Sequence, residues 1–157
     1  MDTVPFRLRS TLERHGVMYE TIRHRRDYTA QETAEHTKTP GREFAKAVLM
    51  RLDGNFAMAV VPADHRVEVD QIRKLTGAKE VRLGTERELR DLCPDCEPGA
   101  TPPFGNLYNL PVYLSDWLTG DEWITFNAGT HEQAIRMRLS DYMRIVQPQV
   151  LDFSTQH

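Results

Sequence analysis

The sequence has little cysteine and no long apolar run, and both absences narrow its class. Its 157 residues include two cysteines, Cys93 and Cys96, which are too few for a disulfide-stapled framework. No run approaches the roughly 20 apolar residues that a membrane-spanning helix needs, and the first residues lack a signal-peptide pattern. We therefore expect a cytoplasmic protein with no membrane partner.

An excess of positive charge is also missing. The formal net charge is −3, which argues against a protein that coats a duplex, because such binding is mostly phosphate neutralisation. We expect no DNA partner, although binding of a few terminal nucleotides of an RNA is compatible with this charge. The length and the hydrophobic fraction of 39% are typical of a single globular domain over residues 1–157.

The usual catalytic and metal-binding motifs are absent as well. The sequence has no Walker loop and no GxSxG turn. His131-Glu132 does not begin a zinc-protease motif, because the second histidine would fall at Ile135. Cys93 and Cys96 have CxxC spacing without a second pair. We expect no metal and no cofactor, and a redox role of the two cysteines stays a minor alternative.

The clearest local structure is a hairpin over residues 42–63. Two apolar runs flank Asp53-Gly54, a pair that favours the positive φ angles of a two-residue hairpin turn. Because apolar residues occupy both faces of each run, the hairpin should lie at the centre of a sheet that is covered on both sides.

The remaining pattern mixes short helices and strands without strand–helix–strand repeats. It predicts an α+β fold, a single compact domain with a curved mixed, largely antiparallel sheet flanked by helices. Capping-box patterns begin helices at Thr29 and Thr85, and Pro40-Gly41 is a predicted turn. Further helices are predicted over residues 4–15, 69–75 and 140–146, and further strands over 17–24, 81–83, 112–114, 123–127 and 131–139.

Three features of the sequence can carry chemistry. Lys46 lies in the middle of an apolar strand, where its stem can pack while its head reaches water, or where it can bind a phosphate or a polarised carbonyl. The loop over residues 99–106 alternates stiff prolines with glycines, as in a rigid connector or in a wall of backbone N–H donors. His131 follows a turn of small residues, and it is a structural or a catalytic imidazole.

In their order and spacing these features resemble the YbaK/prolyl-tRNA-synthetase-associated domain family. The residues that carry the resemblance are Phe44-Ala45-Lys46, the loop over 96–105 and Asn127-Ala128-Gly129-Thr130-His131. It covers about residues 16–148. The family comprises aminoacyl-tRNA deacylases that clear small amino acids from mischarged tRNA, chiefly tRNA(Pro). The resemblance implies the same α+β fold, the tRNA 3′ acceptor end as partner and an aminoacyl-tRNA synthetase as a further one.

The resemblance also assigns roles to individual residues. It implies Lys46, His131 and Gly99 as the catalytic residues. We expect the substrate-binding residues to be Ala100, Thr101, Pro102, Pro103, Phe104, Gly105, Asn127, Gly129 and His24. In this scheme Phe104 lines a pocket that limits side-chain size. Ala47 stands where several deacylases carry a polar residue, so the edited amino acid stays open.

Two other functions remain compatible with the sequence. A non-catalytic tRNA- or synthetase-binding module could keep this fold without turnover. A hydrolase of small free esters or aminoacyl-adenylates could use the same residues. Tight tRNA binding without hydrolysis would favour the first, and activity that gains nothing from the full tRNA would favour the second.

Overall fold

A computed structural model describes residues 4–24, 34 and 43–157 of the chain. The described helices are α1 (Phe6–Arg14), α2 (Val69–Thr76), α3 (Glu86–Leu92) and α4 (Leu139–Val146), with short 3-10 turns at Gly105–Tyr108 and Asp116–Leu118. The described strands are β1 (Tyr19–Arg23), β2 (Phe44–Leu52), β3 (Asn55–Pro62), β4 (His65–Val67), β5 (Val81–Leu83), β6 (Val112–Ser115), β7 (Trp123–Asn127), β8 (Gln133–Arg138), β9 (Gln149–Leu151) and β10 (Ser154–Gln156). The predicted helix at Thr29 and the turn at Pro40-Gly41 lie outside the described residues.

The described part of the chain forms a mixed sheet of eight strands and a separate two-stranded ladder. The large sheet has the order β1-β8-β7-β2-β3-β6-β9, and β5 pairs with the end of β2. The pairs β1/β8, β7/β8, β2/β3 and β2/β5 are antiparallel, while β2/β7, β3/β6 and β6/β9 are parallel. The predicted α+β fold with a mixed sheet and flanking helices is confirmed.

The predicted hairpin is the centre of the sheet. Asp53 and Gly54 have φ angles of 48° and 86°, as the two-residue turn requires. Leu49, Met58 and Val60 face a core that includes α1 and α4, while Met50, Ala57 and Val61 face a second core that includes Ile72 of α2. The hairpin is therefore covered on both sides. The Thr85 capping box is also confirmed, because both reciprocal hydrogen bonds with Glu88 are present.

Some predicted boundaries were wrong, and three short strands were missed. The predicted strand at 131–139 begins at Gln133, so His131 lies in the preceding loop. The last helix begins at Leu139, with Arg138 in the N-cap position. The missed strands β4, β9 and β10 are three residues long. Such strands are too short for an alternating pattern to be recognised.

The loop after α3 is fixed to α1 by a polar cluster around Tyr108. The Tyr108 hydroxyl donates to Asp95 at 2.9 Å and lies 3.1 Å from Cys96 Sγ. Arg7 of α1 pairs with Asp95 at 2.8 Å, and its guanidinium lies 4.7 Å from the centre of the Tyr108 ring. Cys93 is buried beside this cluster, and neither cysteine forms a disulfide.

The same loop is fixed to the core by Phe104. Its fully buried ring packs edge-on against Phe126 of β7 and Tyr142 of α4, at centroid distances of 5.4 and 5.3 Å. The Tyr142 hydroxyl donates to the Pro103 carbonyl at 2.6 Å. Phe104 therefore joins the loop, the sheet and the last helix.

We predict that Phe104→Ala lowers the free energy of unfolding by roughly 3–5 kcal/mol, because it leaves a large cavity between Phe126 and Tyr142. The measurement is equilibrium unfolding in urea. Phe6→Ala is the control, since Phe6 is 72% exposed, and it should change stability by no more than about 0.5 kcal/mol. Equal effects of the two substitutions would contradict the packing described above.

We also predict that both cysteines resist alkylation in the folded protein. Burial raises the pKa of the Cys93 thiol to about 11 and that of Cys96 to about 12, so neither is a thiolate at neutral pH. Iodoacetamide at pH 7.5 should label the native protein far more slowly than the protein in guanidinium chloride, as read by mass spectrometry. Labelling of native Cys96 at the rate of a free cysteine would contradict this assignment and would revive a redox role.

Candidate functional site

A cavity of about 580 Å³ lies at an open edge of strand β2. On this edge β2 pairs with β7 through Phe44 and Ala45, and with β5 through residues 50–52. Between these two ladders, the described residues provide no strand partner for β2 on this side. The residues around the cavity come from β2, from the start of α3 and from two loops, and they are Ala47, Val48, Leu49, Gly84, Thr85, Glu86, Leu89, Glu97, Pro98, Gly99 and His131.

The open edge exposes backbone groups as well as side chains. In the antiparallel hairpin, backbone N–H and C=O groups of alternate residues point away from β3. The Leu49 carbonyl is one of these, since it accepts a hydrogen bond from Gly84 at 2.7 Å. By the same alternation, the backbone groups of Ala47 point toward the cavity. An unpaired strand edge can bind polar groups of a ligand directly.

Two loops that are far apart in the sequence meet at this cavity through three hydrogen bonds. The Glu97 N–H donates to the Gly129 carbonyl at 2.7 Å, and the Gly129 N–H donates to the Ala100 carbonyl at 2.8 Å. The His131 N–H donates to the Glu97 carboxylate at 2.9 Å. These bonds bring Gly99 and His131, two of the three predicted catalytic residues, to the same cavity.

Gly129 occupies a position that no other residue can fill without strain. Its φ angle is 93°, and an added Cβ would lie 2.5 Å from Pro5 Cδ. A positive φ of this kind is easily adopted only by glycine. The loop over residues 127–131 can therefore pack directly against the residue before α1, and this fixes its position beside residues 97–100.

His131 is buried and lies close to a carboxylate. The residue is 4% exposed, and its Nδ1 atom lies 3.8 Å from Glu97 Oε1. Glu97 thus holds the backbone of His131 and lies beside its ring. A protonated imidazole would form an ion pair with this carboxylate.

Lys46 lies on the other face of β2 from Ala47 and outside the residues that line the cavity. Val48 and Met50, two and four residues further along the strand and on the same face, pack in the core of α2. The side chain is half-buried, and this desolvation lowers the pKa of its amine, while the nearby Asp64 carboxylate acts in the opposite direction. Lys46 is therefore beside the open edge, but it approaches that edge from the opposite face.

Most of the predicted substrate-binding loop lies behind the cavity rather than on its surface. All of the residues Ala100, Thr101, Pro102, Pro103, Phe104 and Gly105 are buried. The part of this loop that lines the cavity is residues 97–99. The Thr101 Oγ1 atom is buried and has no hydrogen-bond partner among the described residues. These residues support the cavity wall from the core.

The other predicted binding residues surround the loop over residues 127–131. Asn127 ends β7 and is 4% exposed, and its Oδ1 atom is buried without a hydrogen-bond partner among the described residues. His24 follows β1, and its N–H donates to the Glu132 carbonyl at 3.0 Å. Neither side chain lines the cavity, although both lie within a few residues of His131 along the chain or across the ladder.

The site has an acidic side that was not predicted from the sequence. Glu86 and Glu97 both line the cavity, and Glu86 also pairs with Arg90 at 3.2 Å. Glu97 lies inside the loop that was singled out, so a carboxylate next to Pro98-Gly99 was a signal that could have been used. Nothing in the sequence indicates that the start of α3 forms the facing wall.

Two features are absent from the part of the chain that the structure describes. No described helix is long and apolar enough to cross a membrane. No group of three or more His, Cys, Asp or Glu side chains in the described ranges is arranged to hold a metal ion.

The chain is similar in sequence to several known proteins. The chain matches the model of the aminoacyl-tRNA editing domain over residues 24–145. A relative from Escherichia coli (strain K12), the multifunctional Ser/Thr-tRNA deacylase ProXp-y, is 27% identical over 153 residues, which cover 94% of this chain and 90% of that protein. A proline–tRNA ligase of Staphylococcus epidermidis is 30% identical over 90 residues, which cover 57% of this chain and 16% of the ligase.

The fold is also found in a solved structure. A crystal structure of a protein described as a candidate trans-editing enzyme for prolyl tRNA synthetase superposes with a TM-score of 0.82 at 23% identity, over 95% of both chains. The family match covers most of the present chain, including Lys46, Gly99 and His131. The chain therefore belongs to the aminoacyl-tRNA editing domain family, the family that the order and spacing of its sequence motifs indicated.

Proposed function

We propose that this editing domain hydrolyses the ester of a mischarged tRNA that carries a small amino acid, with serine and threonine as the first candidates. The observation that carries the proposal is the cavity at the open edge of β2, where two loops hold Gly99 and His131 together. The hydroxy amino acids are suggested by the name of the Escherichia coli relative. The substrate enters as the 3′ acceptor end of the tRNA, in the cytoplasm and in the company of a tRNA synthetase.

In this mechanism positioning replaces a strong nucleophile. An aminoacyl ester is already activated, so correct placement of water and of the ester supplies much of the catalysis. The Gly99 N–H stabilises the oxyanion that develops on the carbonyl. The Ala100 N–H is not available for this role, because it already donates to the Glu97 carbonyl at 3.0 Å. The backbone of Ala47 provides a further contact at the strand edge.

His131 and Glu97 orient different parts of the substrate. His131 orients the terminal adenosine or the attacking water, and the neighbouring 2′-hydroxyl of the tRNA helps to activate that water. The carboxylates of Glu97 and Glu86, both at the cavity, favour the positively charged α-amino group of the substrate.

Lys46 completes the site from the opposite face of the strand. A substrate that lies across the open edge, between the β7 ladder at Ala45 and the β5 ladder at Met50, has both faces of β2 within reach. The flexible four-carbon stem of Lys46 then places its ammonium on the terminal phosphate or on the ester carbonyl.

Selection by size follows from the apolar part of the cavity. Ala47, Leu49 and Leu89 belong to this part, together with Val48 and Pro98. Because a difference of one methylene discriminates only about 10- to 200-fold in a pocket, a larger, correctly attached amino acid is rejected mainly by steric exclusion. In Ala47 the cavity has a small residue, which leaves room for a branched side chain such as that of threonine.

We predict that Lys46→Ala lowers kcat/KM for deacylation of seryl- or threonyl-tRNA by at least about 100-fold, because a charge placed at the reacting ester is lost. Lys46→Arg should recover only part of the rate, since the guanidinium has a different shape. The measurement is release of radiolabelled amino acid from mischarged tRNA. Lys74→Ala, an exposed lysine of α2, is the matched control.

The panel of substrates should include alanyl-, cysteinyl-, seryl- and threonyl-tRNA. Survival of the whole panel at high enzyme concentration, together with tight tRNA binding, would contradict the hydrolase and favour a binding module. Equal activity on an aminoacyl-nucleoside and on the full tRNA would favour a hydrolase of small esters.

We predict that Ala47→Leu changes the size selection of the cavity. The added carbons occupy the space next to Leu49 and Leu89, so kcat/KM should fall roughly 10-fold or more for threonyl-tRNA and less for alanyl-tRNA. Ala78→Leu, at a half-buried position outside the cavity lining, is the control of equal added volume. An equal loss for both substrates would place Ala47 outside the amino-acid pocket.

A further inference from the structure

A second cavity, of about 520 Å³, is lined mainly by positively charged side chains. Arg51 of β2, Arg73 of α2, Arg82 of β5 and Lys79 all border it, and Glu80 is the one carboxylate residue in its lining within the described chain. The chain as a whole has a net charge of −3. This concentration of cations is therefore local, and it does not reflect a basic protein.

Two of these cations face each other directly. Arg51 and Arg82 are opposite residues in the antiparallel β2/β5 ladder, so their side chains leave the same face of the sheet with Cβ atoms about 5 Å apart. Like charges at opposite positions destabilise a sheet. An anion that binds between the two side chains reduces the repulsion between their charges.

Existing carboxylates relieve only part of this repulsion. Arg82 makes two hydrogen bonds to Glu88, at 2.9 and 2.8 Å, and Arg73 pairs with Asp70 at 2.5 Å. The Asp53 carboxylate accepts the backbone N–H groups of residues 79 and 80, and the charge of Lys79 makes only a smaller contribution to the lowered pKa of this carboxyl.

Arg51 and Lys79 are the cations that remain without an ion pair among the described residues. The Arg51 Nε atom is buried and has no hydrogen-bond partner within the described chain. Its guanidinium lies 5.1 Å from the centre of the Phe56 ring, which holds the side chain in place. A partly buried guanidinium that has no ion pair is costly, and an anion bound in the cavity would pair with its charge.

The second cavity continues the ladder that borders the first one. Leu49 and Gly84 line the first cavity, and Arg51 and Arg82 line the second. Each pair is separated by two residues along its strand, which is about 7 Å. A polyanion whose aminoacylated end occupies the first cavity therefore has its phosphates within reach of the second.

We propose that the cavity of Arg51, Arg82 and Lys79 is a phosphate-binding site for the backbone of the tRNA substrate. The inference rests on the proposed function for the identity of the polyanion. Arg51 and Lys79 contact phosphate oxygens, Arg82 keeps its pair with Glu88, and the guanidinium of Arg51 gains the acceptor that the folded chain does not provide. Such contacts hold the acceptor strand in register without reading its sequence.

The test compares two double variants that remove the same charge. The first is Arg51→Gln with Lys79→Gln. The control is Arg14→Gln with Lys74→Gln, at two exposed positions outside the cavity. Binding of deacylated tRNA is measured by fluorescence anisotropy at several salt concentrations. The cavity variant should bind roughly 10-fold more weakly than the control. The slope of its log affinity against log salt concentration should be smaller by about one to two, since fewer counterions are released.

A second measurement separates this site from the reaction itself. On mischarged tRNA the cavity variant should show a raised KM with kcat little changed, and on an aminoacyl-adenosine, which lacks the preceding phosphates, it should match wild type. Equal tRNA affinity of the two double variants would overturn the proposal. So would weaker binding of inorganic phosphate with unchanged binding of tRNA, because the site would then serve a free anion.

The two proposals fail in different ways. Loss of tRNA affinity in the cavity variant supports the phosphate site even if wild-type protein hydrolyses no ester, since binding is read without turnover. Normal deacylation by both double variants would leave the proposed function intact and would overturn the phosphate site alone.

Discussion

The candidate site depends on one contact between two loops, in which Gly129 both accepts a hydrogen bond from Glu97 and donates one to Ala100. This contact requires a positive φ angle and the absence of a Cβ, because Pro5 occupies the space that a side chain would need. With the loops joined in this way, the Glu97 carboxylate reaches the His131 N–H, and Gly99 faces the same cavity. The requirement for glycine at position 129 thus determines where Glu97 and His131, which are far apart in the sequence, meet.

The mixed topology explains why a cavity exists at this point. Strand β2 has a parallel neighbour at its start and an antiparallel neighbour at its end. Because these neighbours arrive from different directions, they leave a gap between Ala45 and Met50, and the N–H and C=O groups in a gap need other partners. A ligand that supplies polar groups to a strand edge compensates for this. The gap in the pairing of β2 between Ala45 and Met50 is therefore suited to binding a ligand.

The sequence predicted the elements whose chemistry is local. The Asp53-Gly54 turn and the Thr85 capping box depend on neighbouring residues, and both are present. The family was recognised because Lys46, Gly99 and His131 keep a fixed order. The same sequence could not tell which face of β2 holds the cavity, since its apolar residues lie on both faces. It also placed Phe104 at a pocket, whereas the ring lies in the core, because a loop rich in proline and glycine resembles a surface loop. Both the face of β2 that holds the cavity and the position of the Phe104 ring depend on contacts between segments that are far apart in the sequence.

The charges of the two cavities have opposite signs, and this polarity matches the charges of the proposed substrate. Glu86 and Glu97 line the first cavity, and Arg51 and Lys79 line the second, two residues further along the same ladder. An aminoacyl-tRNA has its ammonium group at the very end and its phosphates behind it. A small neutral ester has no negative charge, and the carboxylate of a free amino acid lies too close to its ammonium group to reach the second cavity, about 7 Å further along the ladder. The arrangement therefore favours an aminoacylated polynucleotide over both simpler ligands, and it also sets the direction in which the chain must lie.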